Sequence, residues 1–150
     1  MKKRPEALLL FALLFAGWMA YLGSQVWKYR RPPVIVSRAQ LLMAKYDVVA
    51  ELAAAAGKPA FDATVNEVLY AEDDGAPKKE SSIKVWNIAD CVGYEGPRTY
   101  VLPLTVQAGE YRVAGLPFDP GRISDVKPRI YPATDEVKKQ FHELRHEPGK

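Results

Sequence analysis

Cysteine is almost absent from this chain: Cys91 is the only one in 150 residues, so no internal disulfide can staple the fold. Histidine is nearly as scarce, with His142 and His146 the only two. The sequence has no Ser or Cys nucleophile signature, no Gly-rich phosphate loop and no clustered set of ligands of the usual kinds. Those absences remove the common motif-bearing hydrolases and nucleotide-binding folds, and the chain is expected to be no enzyme and to carry no cofactor. A folded part of roughly 115 residues can bury enough apolar surface to do without staples or a structural metal.

Charge is missing altogether from residues 7–27, which read Leu8-Leu9-Leu10-Phe11-Ala12-Leu13-Leu14-Phe15 and continue through Trp18, Met19, Tyr21 and Leu22. At 1.5 Å per residue such a helix would be about 30 Å long, the thickness of a bilayer's hydrocarbon core. One transmembrane helix is therefore expected over 7–27, behind a short leader of residues 1–6. Lys2, Lys3 and Arg4 flank it on one side, and Trp27, Lys28, Arg30 and Arg31 on the other, as interfacial anchors do. The same n-region would suit a cleavable signal peptide, but Leu22-Gly23-Ser24 makes a poor cleavage site, so a retained anchor is the reading. The short leader favours a cytoplasmic N-terminus and an extracytoplasmic C-terminal domain, in a single-pass membrane protein whose first partner is the lipid bilayer.

The net charge of +3 conceals an uneven distribution. From Val34 onward 15 Lys and Arg face 17 Asp and Glu, so the folded part is slightly acidic and lacks the basic face that nucleic acid requires. No nucleic-acid partner is expected.

After a juxtamembrane linker, residues 28–36, a β-rich domain is expected over 37–146, with a tail at 147–150. Ser37 and Gln40 have capping-box spacing before a short helix at 38–45. Asp47-Val48-Val49-Ala50-Glu51-Leu52-Ala53 has the content of a strand, although residues 48–56 could instead prolong a helix. Residues 63–70 alternate as a half-buried strand does, and residues 72–80 are a charged, breaker-rich loop. That loop lacks the alternating oxygen ligands of a calcium site. Residues 83–88 form a further strand, and residues 100–106 and 111–114 flank a Gly-containing hairpin turn. Pro103 denies a ladder bond and should sit at an edge or bulge. Prolines 117, 120, 128 and 132 argue against regular structure until Thr134 caps a last helix with Asp135 and Glu136 in its first turn.

Five short strands with turns between them predict a mainly β domain, a small OB-like barrel or sandwich with a short N-terminal and a C-terminal helix. The order of Asp47-Val48-Val49-Ala50-Glu51-Leu52, Thr64-Val65-Asn66-Glu67-Val68-Leu69, Ser82-Ile83-Lys84-Val85 and Thr99-Tyr100-Val101-Leu102-Pro103-Leu104 resembles exported OB-fold modules of the netrin and metalloproteinase-inhibitor-like type, over residues 46–116. The N-terminal cysteines of the inhibitory members are absent, so the resemblance does not extend to inhibition.

His142-Glu143-Leu144-Arg145-His146 matches H-E-x-x-H, in which two His bind zinc and the Glu activates water. At 100° per residue, however, His142 and His146 fall roughly 140° and 180° from Val137, away from the stripe of Val137, Phe141 and Leu144. A solvated helix face is therefore expected, and no metal. Cys91 reads as a buried small hydrophobe. Trp86, Tyr94, Tyr100 and Tyr111 could line a ligand surface or simply pack. Together these features suggest a membrane-tethered, non-catalytic interaction or accessory module, a small subunit of an envelope complex with another membrane or envelope protein as partner. The rival is a zinc-dependent hydrolase using His142, Glu143 and His146.

Overall fold

A strand whose two faces are both covered organises the domain. The computed structural model describes residues 5–29, 33–53, 59–117 and 126–146, in two units, residues 1–34 and 35–150. The first unit contains α1 (Pro5–Tyr29), a 25-residue helix. Among the described residues no helix is long and apolar enough to cross a membrane, the side chains described on α1 being those of 11–26. Lys2, Lys3, Arg4, Arg30 and Arg31 lie outside the described residues, as do the side chains of Trp27 and Lys28.

The second unit begins with α2 (Arg38–Met43), which Ser37 caps by accepting the Gln40 N–H at 3.4 Å. Then follow β1 (Tyr46–Leu52), β2 (Ala60–Ala71), β3 (Ser82–Trp86), a single 3-10 turn (Ile88–Asp90), β4 (Thr99–Gln107), β5 (Glu110–Val113), the two-residue β6 (Tyr131–Pro132) and α3 (Asp135–His146). The order β1-β2-β3-β5-β4 closes on itself because β1 also pairs with β4, giving a five-stranded barrel. All pairings are antiparallel except β3 with β5. The barrel and the C-terminal helix agree with the expected mainly β class, the barrel form having displaced the sandwich.

Alternation fills the barrel. Tyr46, Val48, Ala50 and Leu52 of β1 point inward with Phe61, Ala63 and Val65 of β2, Val85 of β3, Tyr100, Leu102 and Leu104 of β4 and Val113 of β5. Each fully buried Leu, Val or Phe contributes on the order of 1.5–3 kcal/mol. The outward residues of β1 and β4 are buried too, since Val49 and Val101 join Val36, Leu41, Tyr131, Val137 and Phe141 in a second cluster. Being covered twice, β1 reads from Val48 to Ala50 as a continuous apolar run, and it forms a strand rather than the helix that residues 48–56 also allowed.

Two bulges interrupt β2. Asp47 faces Tyr70 but Val48 faces Val68, and Val49 faces Glu67 but Ala50 faces Val65, so Leu69 and Asn66 are extra residues. Each bulge shifts the alternation by one, and Glu67 and Tyr70 thereby share the outward side with Val49 and Asp47.

Pro103 occupies a notch between β5 and β6. Its carbonyl accepts the Ala114 N–H at 2.8 Å, but its own nitrogen cannot return a bond to the Ala114 carbonyl. The Gln40 side chain donates that bond instead, Nε2 to the Ala114 oxygen at 2.8 Å, and donates another to the Arg129 carbonyl at 2.9 Å. Its Oε1 accepts from the Tyr131 hydroxyl at 2.9 Å, and that hydroxyl accepts the Ser37 N–H at 3.1 Å. Only half of the expected capping box therefore forms, because the Gln40 side chain is drawn into the interior.

The prolines beyond Val113 do not exclude all pairing. Tyr131 and Pro132 run beside Val101 and Tyr100, and Arg129 bridges Val92. Pro132 is tolerated because the strand is only two residues long and ends there. Gly93 lies at this bridge with φ +98°, and a Cβ on it would run into the Ile130 carbonyl. The turn signal at 119–121 lies outside the described residues, as do residues 54–58, which hold most of the alanine run.

The hairpin between β4 and β5 has a two-residue loop, Ala108 and Gly109, with φ of 51° and 80°. Positive φ at both positions is the demand of a type I′ turn, which Asn-Gly meets and Ala-Gly does not. Ala108→Asn should therefore raise stability by about 1 kcal/mol, read as a higher urea midpoint at unchanged slope.

Candidate functional site

The C-terminal helix carries the sharpest motif and reaches, through Arg145, the buried carboxylate of Asp47 on β1. Thr134 caps it, its Oγ1 accepting the Val137 N–H at 3.3 Å, while Asp135 and Glu136 sit in the first turn and Arg145 and His146 in the last, as the helix dipole favours. Val137 and Phe141 are buried against the second apolar cluster, with Leu144 packed beside them, and the Phe141 ring meets Tyr131 edge-on at 5.5 Å.

Next to this apolar stripe runs a polar one. Arg145 donates from Nε to Asp47 Oδ2 at 2.6 Å and from Nη2 to the Ala44 carbonyl at 3.0 Å. Its guanidinium lies 3.9 Å from the centre of the Tyr70 ring, a stacked cation–π contact. Lys138 reaches Glu67 at 2.7 Å. Both Tyr70 and Glu67 face α3 because of the β2 bulges. Asp47 is fully buried, and its second oxygen, Oδ1, has no hydrogen-bond partner. Burial raises the Asp47 pKa above the usual carboxylate value, against the opposing pull of Arg145. A groove of about 440 Å³ runs between α3 and β2, lined by Glu67, Tyr70, Lys138, His142 and His146 with Asp47 at its floor.

His142 and His146 are both exposed, their ring centres 4.2 Å apart. Glu143 is exposed and lies 3.7 Å from Lys139 on its own helix. Two imidazoles one turn apart can occupy two positions of a cation, but a zincin needs a third protein ligand and a Glu directed at the metal-bound water. Among the described residues no three His, Cys, Asp or Glu side chains gather as a metal site.

The aromatic residues divide. Tyr100 is 1% exposed, inside the barrel, and its hydroxyl accepts the Glu95 N–H at 2.9 Å and donates to the Gly96 carbonyl at 2.8 Å. It cannot belong to a ligand surface. Tyr94 rests on Tyr100 and on Phe61, with ring centres 6.0 and 5.2 Å away. Tyr111 packs edge-on to Tyr46, and both hold the acidic loop: Tyr46 donates to Asp73 Oδ1 at 2.6 Å and Tyr111 to the Gly75 carbonyl at 3.3 Å. That bond and burial push the Tyr46 pKa up to about 12, while the Tyr46 and Gly75 donors hold Asp73 below the usual value. Trp86 is half-buried at the end of β3, paired across to Ala60 and Arg112. These four residues therefore form no single surface. Cys91 is partly buried, packs on the barrel core and donates from Sγ to the Asn87 carbonyl at 3.2 Å. Burial pushes its pKa up to about 12, which suppresses the thiolate.

Asp47, Tyr70 and Arg145 escaped the sequence reading as a site. One signal was available: Arg145 follows Phe141 by four residues and so continues the buried side of α3, while Asp47 leads the apolar run Val48-Val49-Ala50. No family model matches this chain, and neither the curated proteins nor the solved structures contain a match to it.

Two stability experiments follow from this geometry. Phe141→Ala should cost roughly 3 kcal/mol through lost burial and a residual cavity, whereas His142→Ala and His146→Ala should each cost under about 0.5 kcal/mol, compared by urea midpoints. The Asp47 effect has the opposite sign to that of an ordinary paired acid. Because its folded pKa is raised, its favourable contribution is complete below the unfolded value of about 3.9 and is lost as pH rises through the folded value. Wild type should accordingly gain stability relative to Asp47→Asn as pH falls from neutrality toward about 4, and a difference independent of pH would refute the assignment.

Proposed function

We propose that the chain is a membrane-tethered, non-catalytic interaction module: an OB-like barrel on a helical anchor, extracytoplasmic and a small subunit of an envelope complex. The non-catalytic part rests on one observation, the docking of α3 through Phe141 and Arg145. That docking leaves the histidines of the H-E-x-x-H match exposed on the helix shoulder and Glu143 exposed beyond them. The barrel interior is filled by side chains, leaving surfaces rather than an enclosed chamber for recognition.

The anchor part is supported by the uncharged stretch 7–27 falling inside one helix, Pro5–Tyr29, of about 37 Å. The closed five-stranded barrel with an antiparallel β1–β4 closure supports the OB-like description. The basic leader before the apolar stretch supports export of the domain.

Purified full-length protein should hold well under one zinc per chain after dialysis and should show no peptidase activity. Stoichiometric zinc lost in both His142→Ala and His146→Ala, together with activity, would establish the hydrolase instead. Membranes washed with alkaline carbonate should retain the protein, and its release into the supernatant would remove the anchor.

A further inference from the structure

The exposed apolar residues of the folded unit are unevenly spread. Among its described residues the exposed large apolar side chains are Ile35, Leu42, Met43, Val92, Val106 and Val126. Ile35 at 71% and Leu42 at 75% are the most exposed of them. Leu42 and Met43 lie on α2 opposite its buried Gln40 and Leu41, so apolar residues occupy both sides of the helix. Such a face has no reason to be apolar if it meets only water.

One basic residue shares that side, and others gather at the start of the helix. Arg38 is exposed on the same side of α2, and Val126, Lys127 and Arg129 run past its N-terminal end, where they line a hollow with Ser37 and Gln40. Between Pro33 and Lys45 there is no acid, nor between Val126 and Thr134. Lys45, by contrast, lies beside the acidic loop, where the Glu72 N–H donates to its carbonyl, and is compensated there. The composition is that of an interfacial helix: apolar side chains to enter the headgroup boundary, and cations to meet lipid phosphates. In sequence the patch begins six residues after Tyr29.

We propose that Leu42 and Met43 of α2, with Arg38 on the same side and Ile35 just upstream in the chain, form a membrane-contact surface that lays the barrel against anionic lipid. This deepens the anchor reading and rests on it. Met43 and Leu42 would sit in the headgroup boundary, leaving the α3 groove and the far rim of the barrel available to a protein partner.

The test uses the full chain with Cys91→Ala, reconstituted in nanodiscs of phosphatidylcholine and phosphatidylglycerol. A nitroxide is attached at Leu42→Cys or, for comparison, at the exposed Glu95→Cys. At position 42 oxygen should broaden or relax the label more than a water-soluble nickel chelate does, with the reverse at position 95. Replacing phosphatidylglycerol by phosphatidylcholine should weaken the contrast at 42. Equal nickel access at both positions overturns the proposal. Shielding of position 42 from both reagents with dipolar broadening between labels would identify a second copy of the chain on this face, and also overturns it. The label decides this surface whether or not carbonate releases the protein, so failure of the anchor and failure of the contact are read separately.

Discussion

One side-chain amide holds together what the backbone cannot. Pro103 lies in the strand shared by both halves of the barrel wall, at the point where β5 ends and β6 has yet to begin. The missing N–H leaves the Ala114 carbonyl without its ladder partner, and an unmade buried bond costs about 1–3 kcal/mol. Gln40 supplies it while also bonding the Arg129 carbonyl and the Tyr131 hydroxyl, and is itself 1% exposed. Through that residue α2, the end of β5, the segment before β6 and β6 itself are fixed to one another. A leucine there would fill the space but leave three polar groups unsatisfied, so the position is set by hydrogen bonding rather than by volume.

The same requirement shapes the outer layer. A barrel wall with Val49 and Val101 pointing outward must be covered, and α3, Tyr131 and Leu41 provide the cover. Asp47 falls inside that layer because its β1 position alternates with Val48 on the barrel side. A carboxylate in such a place is tolerated only with a partner, and Arg145 arrives from 98 residues away. Tyr70 completes the arrangement by stacking under the guanidinium, which the bulge at Leu69 makes reachable.

Local patterns were readable in the sequence; the features that join distant residues were not. Period-two alternation located β2, strand-like content and turn signals located the other barrel strands, and the cap of α3 and its apolar stripe at Val137, Phe141 and Leu144 follow from spacing alone. The bulges in β2 were invisible because the alternation on either side of each is regular and only the phase changes. β6 was missed because Pro132 argues locally against a strand, whereas an antiparallel neighbour and a two-residue length make it acceptable. Gln40 looked like half of a capping box, since its chemistry suits both that role and the interior, and only the loss of the Pro103 N–H decides between them. Whether Trp86, Tyr94, Tyr100 and Tyr111 line a surface or pack stayed open in the sequence for a related reason: aromatic content does not say which side of a pleat a ring occupies.

The rotation of α3 about its axis separates a structural helix from a zinc helix, and its energetics can be bounded. Taking Arg145 as zero, 100° per residue puts Phe141 at roughly −40° and Val137 at −80°, with His142 near 60° and His146 near 100°. Two parallel rows result: Phe141 with Arg145 facing the barrel, and His142 with His146 on the shoulder. Turning the histidines to the barrel would need a rotation of about 60–100°. That rotation would withdraw Arg145 and leave the carboxylate of Asp47 buried with neither oxygen paired, a change costing about 3–5 kcal/mol. Phe141 would leave its contact with Tyr131 at the same time, at a further cost of about 3 kcal/mol. Losses of that size are comparable to the whole stability of a domain this large. The middle of the His-Glu-Leu-Arg-His match thus contains its own obstacle, because Arg145 holds the helix in the orientation that keeps both histidines on the shoulder.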